Sequence, residues 1–130
     1  MEQIRVVVVD DSPFVCRLLA RHLNSAENIA VVGTAHNGKQ AIALIHELKP
    51  DVITLDQEMP GISGVESLTS IMHDCPVPVV MITGVSKRSA TLTRQALDIG
   101  AVDFVLKYAP GVDSSPDALR HEIISKVRAA

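Results

Sequence analysis

Six consecutive residues constrain this chain more than any other stretch. Ile4-Arg-Val-Val-Val-Val9 is β-branched almost throughout and nearly unbroken in its apolar character. A strand with one wet face alternates, whereas an unbroken run is apolar on both faces. Such a strand belongs in a parallel sheet covered on both sides, and parallel neighbours require long crossovers, usually helices. The residues that follow have that form. Asp10-Asp11-Ser12-Pro13 ends the run, with Ser12 suited to the N-cap and Pro13 to the first helical position. Phe14, Val15, Leu18, Leu19 and Leu23 then recur at helical spacing.

The same unit repeats along the chain. Residues 30–35 form a second apolar run, broken by Asn37-Gly38, and Ala41, Ile42, Leu44, Ile45 and Leu48 predict a helix stopped by Pro50. Val52, Ile53 and Leu55 make a third strand that ends on Asp56 before Pro60-Gly61 turns the chain. Ser63 and Glu66 have capping-box spacing, and Val65, Leu68, Ile71 and Met72 mark the buried face of the helix they start. Residues 77–83 predict a fourth strand, with Pro78 tolerated near its start. A more polar helix over 87–99 follows, with Leu92, Ala96 and Leu97 inward and Gly100 as its stop. Residues 102–107 predict the fifth strand. After a loop through Pro110-Gly111, Ser115-Pro116 starts a last helix whose apolar face is Leu119, Ile123 and Val127.

Five strands alternating with five helices imply an α/β fold: an open, doubly wound parallel sheet of the flavodoxin-like order 2-1-3-4-5. In that order strands 1 and 3 meet at the switch point, where open α/β sheets bind ligands beyond the carboxyl ends of their strands. The 130 residues are expected to form one domain over positions 1–130. Apolar residues make up 47% and charged residues 21%, as a compact folded chain requires. Aromatics are confined to Phe14, Phe104 and Tyr108, too few for the base-stacking platforms of single-strand readers. With a net charge of −3 there is no electrostatic footprint for nucleic acid. Cys16 and Cys75 lack metal or redox spacing and read as small apolar residues in a reducing compartment. No apolar run approaches transmembrane length and the start lacks a signal-peptide pattern, so a cytoplasmic domain that contacts no membrane is expected.

The strand ends carry the chemistry. Strand 1 delivers Asp10 and Asp11, strand 3 Asp56, strand 4 Thr83 and strand 5 Lys107, all at carboxyl ends and so facing one crevice. Each alone is an acidic turn, an exposed hydroxyl or a solvated lysine; together they form a site. Three carboxylates in one crevice repel unless a cation sits among them, and few hard oxygen ligands suit Mg²⁺ completed by a phosphate. Lys107 is a point charge suited to a phosphoryl oxygen and Thr83 a hydroxyl donor. The set favours phosphoryl transfer onto a carboxylate.

The segments Val-Val-Asp10-Asp11-Ser-Pro-Phe, Asp51-Val-Ile-Thr-Leu-Asp56-Gln-Glu-Met-Pro-Gly61, Met-Ile-Thr83-Gly and Val102-Asp-Phe-Val-Leu-Lys107 resemble the receiver domain of two-component response regulators. The likeness covers essentially the whole chain. Asp-x-Glu-Met-Pro, Gly-Ala-Val-Asp-Phe-Val and the closing Lys-Val-Arg-Ala-Ala are similar to the receiver that heads the chemotaxis protein-glutamate methylesterase. The resemblance implies that Asp56 accepts phosphate from a histidine kinase. It implies that Asp11 binds Mg²⁺ directly, Asp10 largely through water, and Glu58 through its backbone carbonyl. Thr83 would follow the phosphate inward and Phe104 would turn into the vacated space. The face made by the fourth helix, fifth strand and fifth helix would then engage a downstream protein or effector domain. Such a domain catalyses only its own phosphorylation and dephosphorylation; methylesterase activity would need a C-terminal domain. Glu58 and Val85 would tune water access to the acyl phosphate. The chain departs from the family at Lys107-Tyr108, where Pro usually follows the lysine through a cis bond. A trans bond is expected here, because a cis bond before Tyr costs roughly 3 kcal/mol. Gln57 stands where the family commonly has an aliphatic residue.

Other signals are weaker. Gly33-Thr-Ala-His-Asn-Gly38-Lys39-Gln40 nearly spells a phosphate-binding loop, but Gln40 replaces the metal-binding hydroxyl, and a turn with an N-cap at Asn37 explains it better. His22, His36, His46, His73 and His121 lack paired ligand spacing. A Mg²⁺-dependent phosphatase or nucleotide-binding enzyme on the same layout is the alternative. It is disfavoured because there is no Asp-x-Asp at Asp56, no nucleotide fingerprint and no enclosing insertion. A receiver-like scaffold that never takes phosphate is disfavoured by the intact set of five.

Overall fold

Val6 and Val8 pack into one apolar layer and Val7 and Val9 into another, so the strand over Ile4–Val9 (β1) is covered on both faces. The computed structural model describes residues 3–59, 63–84, 87–107 and 116–130. The turn at Pro60-Gly61, Val85, the Lys107–Tyr108 bond, the Pro110-Gly111 loop and Ser115 lie outside the described residues. The remaining elements are α1 (Pro13–Asn24), β2 (Ile29–Ala35), α2 (Gly38–Leu48), β3 (Val52–Asp56) and α3 (Gly64–Asp74). Then come β4 (Val79–Thr83), α4 (Lys87–Ile99), β5 (Asp103–Leu106) and α5 (Pro116–Ala129). The sheet order is β2-β1-β3-β4-β5 and every pairing is parallel, as the alternation implied.

Helices divide between the two faces. Cys16, Leu19 and Leu23 of α1 and Ile123 and Val127 of α5 cover Val6, Val8, Val80 and Val105. Ala41 and Ile45 of α2, Leu68 and Ile71 of α3 and Ala96 of α4 cover Val7, Ile53, Leu55 and Met81 on the other side. All residues of the central strands β3 and β4 are buried. A fully buried aliphatic side chain contributes roughly 1.5–3 kcal/mol relative to exposure, so these two layers carry the fold.

Caps set the helix ends. Ser12 accepts from Val15 N–H, Asn37 from Gln40 N–H and Ser63 from Glu66 N–H, each satisfying a first-turn donor with no partner inside the helix. The Asn37 cap starts α2 at Gly38, earlier than the apolar spacing indicated, and occupies the segment that resembled a phosphate loop. Gly100 stops α4 with φ +137°, a conformation that disfavours any side chain.

Two expectations about facing are corrected. Leu97 is 40% exposed, because α4 turns Ser89, Thr93 and Ala96 toward the sheet, and the residue after Ala96 lies about 100° further round. Phe14 is 66% exposed, since α1 buries Cys16, Leu19, His22 and Leu23 instead. The fourth strand begins at Val79 rather than 77, after exposed Pro78, although the Pro78 carbonyl still accepts from Ile53 N–H at 2.9 Å.

Candidate functional site

Strands β1, β3 and β5 each bring a charged group to the carboxyl edge of the sheet, Asp10 just after β1, Asp56 as the last residue of β3 and Lys107 just after β5. Asp10 follows β1, where its N–H donates to the Ala35 carbonyl at 3.0 Å, and its side chain is 1% exposed. Its Oδ1 accepts from Ser12 N–H at 2.9 Å, which fixes the carboxylate as the chain turns into α1. Asp56 is the last residue of β3, 2% exposed, with Oδ1 accepting from Glu58 N–H at 3.2 Å. Asp11 is exposed at the mouth, and oxygens of Asp10, Asp11 and Asp56 lie within 4.8 Å of one another.

Lys107 enters from the end of β5, held by a bond from its N–H to the Thr83 carbonyl at 2.9 Å. Its Nζ lies 3.1 Å from Asp56 Oδ1 and 3.8 Å from Asp10 Oδ2. One ammonium thus faces two buried carboxylates. Asp10 Oδ2 nevertheless has no hydrogen-bond partner, although it is buried. A buried carboxylate oxygen with no hydrogen bond is costly. Burial pushes the Asp56 carboxyl up from 3.8 to about 6; Lys107 pulls it down and Asp10 pushes it up again. Asp10 is raised as well, chiefly by burial. An arrangement that penalises its own negative charge is suited to receiving a cation. The all-oxygen donor set, with one buried oxygen left without a hydrogen bond, fits a hard divalent ion such as Mg²⁺.

The close approach of α3 holds the end of β3 in place. Gly64 N–H donates to the Gln57 carbonyl at 3.1 Å, and a Cβ on Gly64 would lie 2.4 Å from the Asp56 carbonyl oxygen. Only glycine allows the helix to start there.

Of the five residues that sequence reasoning brought to one crevice, Asp10, Asp11, Asp56 and Lys107 converge. Thr83 is 1% exposed, and its hydroxyl faces α4, 3.1 Å from Thr93 Oγ1 and 3.3 Å from the Gly84 carbonyl. Glu58 takes a hydrogen bond from Ser89 Oγ through its side chain. Phe104 is half-buried against the layer that holds Met81 and Ala96. Beside the acids lies a groove of about 380 Å³ lined by Asp11, Gln57, Glu58, Met59, Ser63, Arg88 and Leu92. A larger hollow, about 530 Å³, lies between Lys49, Asp74 and Pro76 and includes none of the five. Among the described residues no buried charges converge on it.

Sequence reasoning missed a buried polar cluster. Gln57 is 0% exposed; its Nε2 donates to the Ser89 carbonyl at 2.8 Å and its Oε1 accepts from Thr93 Oγ1 at 3.0 Å. The available signal was the spacing of Ser89, Thr93 and Ala96 along α4, which marks a small, partly polar inner face.

The response regulator receiver domain family matches residues 6–115. The chain belongs to that family. The receiver is 45% identical over 127 residues to a protein-glutamate methylesterase/protein-glutamine glutaminase of Bacillus licheniformis, spanning 98% of this chain but 36% of that relative. The response regulator domain of Thermotoga maritima CheB superposes with a TM-score of 0.88 at 40% identity, over 99% of this chain and 96% of that one. The receiver also resembles a chain in the CheX–CheY–BeF3–Mg²⁺ complex of Borrelia burgdorferi. There the TM-score is 0.79 at 29% identity, over 98% of this chain and 89% of that one. It is therefore a receiver of the two-component, chemotaxis type. It spans about a third of the length of the curated methylesterase relatives it matches.

Proposed function

We propose that this receiver takes a phosphoryl group on Asp56 from the phosphohistidine of a histidine kinase and uses it to change a docking face. The observation that carries the reading is the Asp56 carboxylate itself: buried, 3.1 Å from Lys107 Nζ and within 4.8 Å of two further acids. In the transfer, an Asp56 carboxylate oxygen attacks phosphorus and forms a P–O bond. The P–N bond to the donor imidazole breaks and its electron pair returns to that nitrogen. Hydrolysis reverses the modification, as water attacks phosphorus and the carboxylate leaves.

Asp11 and Asp56 would hold Mg²⁺ directly, Asp10 largely through water, and Glu58 through its backbone carbonyl. When bound, the ion neutralises negative charge on the phosphoryl oxygens. Lys107 keeps its ammonium beside the Asp56 oxygen and serves a phosphoryl oxygen after transfer. Thr83 turns inward to donate to another. Phe104 moves into the space Thr83 leaves, and the face of α4, β5 and α5 changes for a downstream protein or effector domain. The change is a population shift, biased by contacts that the phosphoryl group makes in one arrangement only. Exposed Leu97 and Val102 lie on α4 and just before β5, where an apolar partner surface would meet them.

Residues 1–130 would act as one phospho-acceptor domain that catalyses only its own modification and its reversal. Any methylesterase activity would belong to a C-terminal effector domain like that of the relatives. The reading places the domain in the cytoplasm, where nucleotide-fed kinases work. Among the described residues no helix is long and apolar enough to cross a membrane.

Intact mass after incubation with a small acyl phosphate and Mg²⁺ tests the reading. One labile phosphoryl group should appear, and it should be lost with chelator and absent in Asp56→Asn. Multiple turnover of an added phosphoester without modification of Asp56 would favour the Mg²⁺-dependent phosphatase instead.

A further inference from the structure

Helix α4 is tied to the ends of β3 and β4 by side chains outside the carboxylate cluster. Gln57, next to the proposed acceptor, is fully buried, where an aliphatic side chain would avoid the cost of desolvating an amide. Its Nε2 donates to the Ser89 carbonyl at 2.8 Å and its Oε1 accepts from Thr93 Oγ1 at 3.0 Å. Thr93 Oγ1 in turn lies 3.1 Å from Thr83 Oγ1 and 2.8 Å from the Ser89 carbonyl. Thr83 and Thr93 are 1% and 8% exposed. A hydroxyl has one proton. The assignment that pairs both polar atoms of the Gln57 amide and links the two threonines runs Thr83 to Thr93, Thr93 to Gln57, and Gln57 to the Ser89 carbonyl, with the Gly84 carbonyl, 3.3 Å from Thr83 Oγ1, as a second acceptor on the same side. Breaking one link in such a cluster leaves a buried group unpaired.

We propose that Gln57 and Thr93 are positioning residues that hold the Thr83 hydroxyl toward α4 and thereby set the balance between the resting and phosphoryl-bound arrangements. The inference rests on the function proposed above, in which the Thr83 hydroxyl donates to a phosphoryl oxygen. Its single proton cannot serve both partners. Turning it toward Asp56 removes the donor to Thr93 in a region closed to water. The same movement loosens the first turns of α4, because Thr93 and the Ser89 carbonyl share Gln57 as their partner. Phosphorylation would then reach α4 through the acceptor's own sequence neighbour, besides any movement of Phe104.

Beryllium fluoride with Mg²⁺, a mimic of the acyl phosphate, tests the proposal through amide NMR titration of the folded chain. Thr93→Val keeps the shape but removes the partner that holds Thr83. It should bind the mimic about two- to tenfold more tightly than the wild type, the value of one hydrogen bond. Thr93→Ser should restore wild-type affinity, and in a Thr83→Ala background the effect of Thr93→Val should vanish. Gln57→Met should shift affinity in the same direction, and it carries the test if Thr93→Val does not fold. Unchanged or weaker binding by the variants, including a lower denaturation midpoint without tighter binding, overturns the proposal. Failure of the wild type to bind the mimic and to take phosphate on Asp56 overturns the proposed function, and this inference with it.

Discussion

Replacing Asp56 with Asn should stabilise the metal-free receiver at neutral pH. Burial raises the Asp56 carboxyl from 3.8 to about 6 despite Lys107 at 3.1 Å. At about 1.4 kcal/mol for each factor of ten, that corresponds to about 3 kcal/mol lost when the carboxylate is ionised in the folded chain. The sign follows from the two states. Below about pH 4 folded and unfolded chains both hold the proton, and between 4 and about 6 only the folded chain does. The contribution is therefore present at low pH and lost as pH rises through about 6. Asn keeps the hydrogen bond from Glu58 N–H and carries no charge. Its amide meets Lys107 less well than a carboxylate would, so a gain of about 1–3 kcal/mol is expected at pH 8.

Urea denaturation followed by circular dichroism in chelator, at steps between pH 4 and 8, measures that difference. Saturating Mg²⁺ should then raise the stability of the wild type and close the gap, by about 2.7 kcal/mol at a hundredfold excess over Kd. The variant should respond less. An Asn variant no more stable than wild type at pH 8, or a difference that does not vary between pH 4 and 8, would mean that ionising Asp56 does not destabilise the folded receiver.

Three further perturbations follow from the same geometry. Lys107→Met removes the largest influence holding the Asp56 carboxyl down, so its titration, followed by carboxyl-carbon NMR, should move above about 6. Gly64→Ala would place a Cβ 2.4 Å from the Asp56 carbonyl oxygen and 2.6 Å from Gln57 Cα. Because both contacts are backbone, a loss of about 1–3 kcal/mol or more is expected in urea, with lower Mg²⁺ affinity by calorimetry. Asn37→Ala removes the cap bond to Gln40 N–H at 2.8 Å and should cost about 1 kcal/mol in the same denaturation assay. It lies beside edge strand β2 and should leave phosphorylation of Asp56 unchanged by intact mass.

Hydrophobic pattern alone sets the layers and the edge on which the site stands. β-branched runs such as 4–9 are too apolar for a strand with a wet face, and segments of helical period between them make parallel crossovers the solution. Strand ends are then legible as well, because a charge that closes such a run marks where the apolar layers stop, and so Asp10, Asp56 and Lys107 could be placed together at one edge, although their burial there could not. The facing of α4 was not legible. Leu97 continues the apolar spacing yet is 40% exposed, while Ser89 and Thr93 turn inward. Local period ranks a leucine above a threonine for burial. Only the packed structure places buried Gln57 opposite α4, so that the helix turns its hydrogen-bonding face toward it. The direction of the Thr83 hydroxyl was undetermined for the same reason. A residue's strand end follows from pattern, but the partner of its one proton follows from whichever neighbour the tertiary packing brings within about 3 Å.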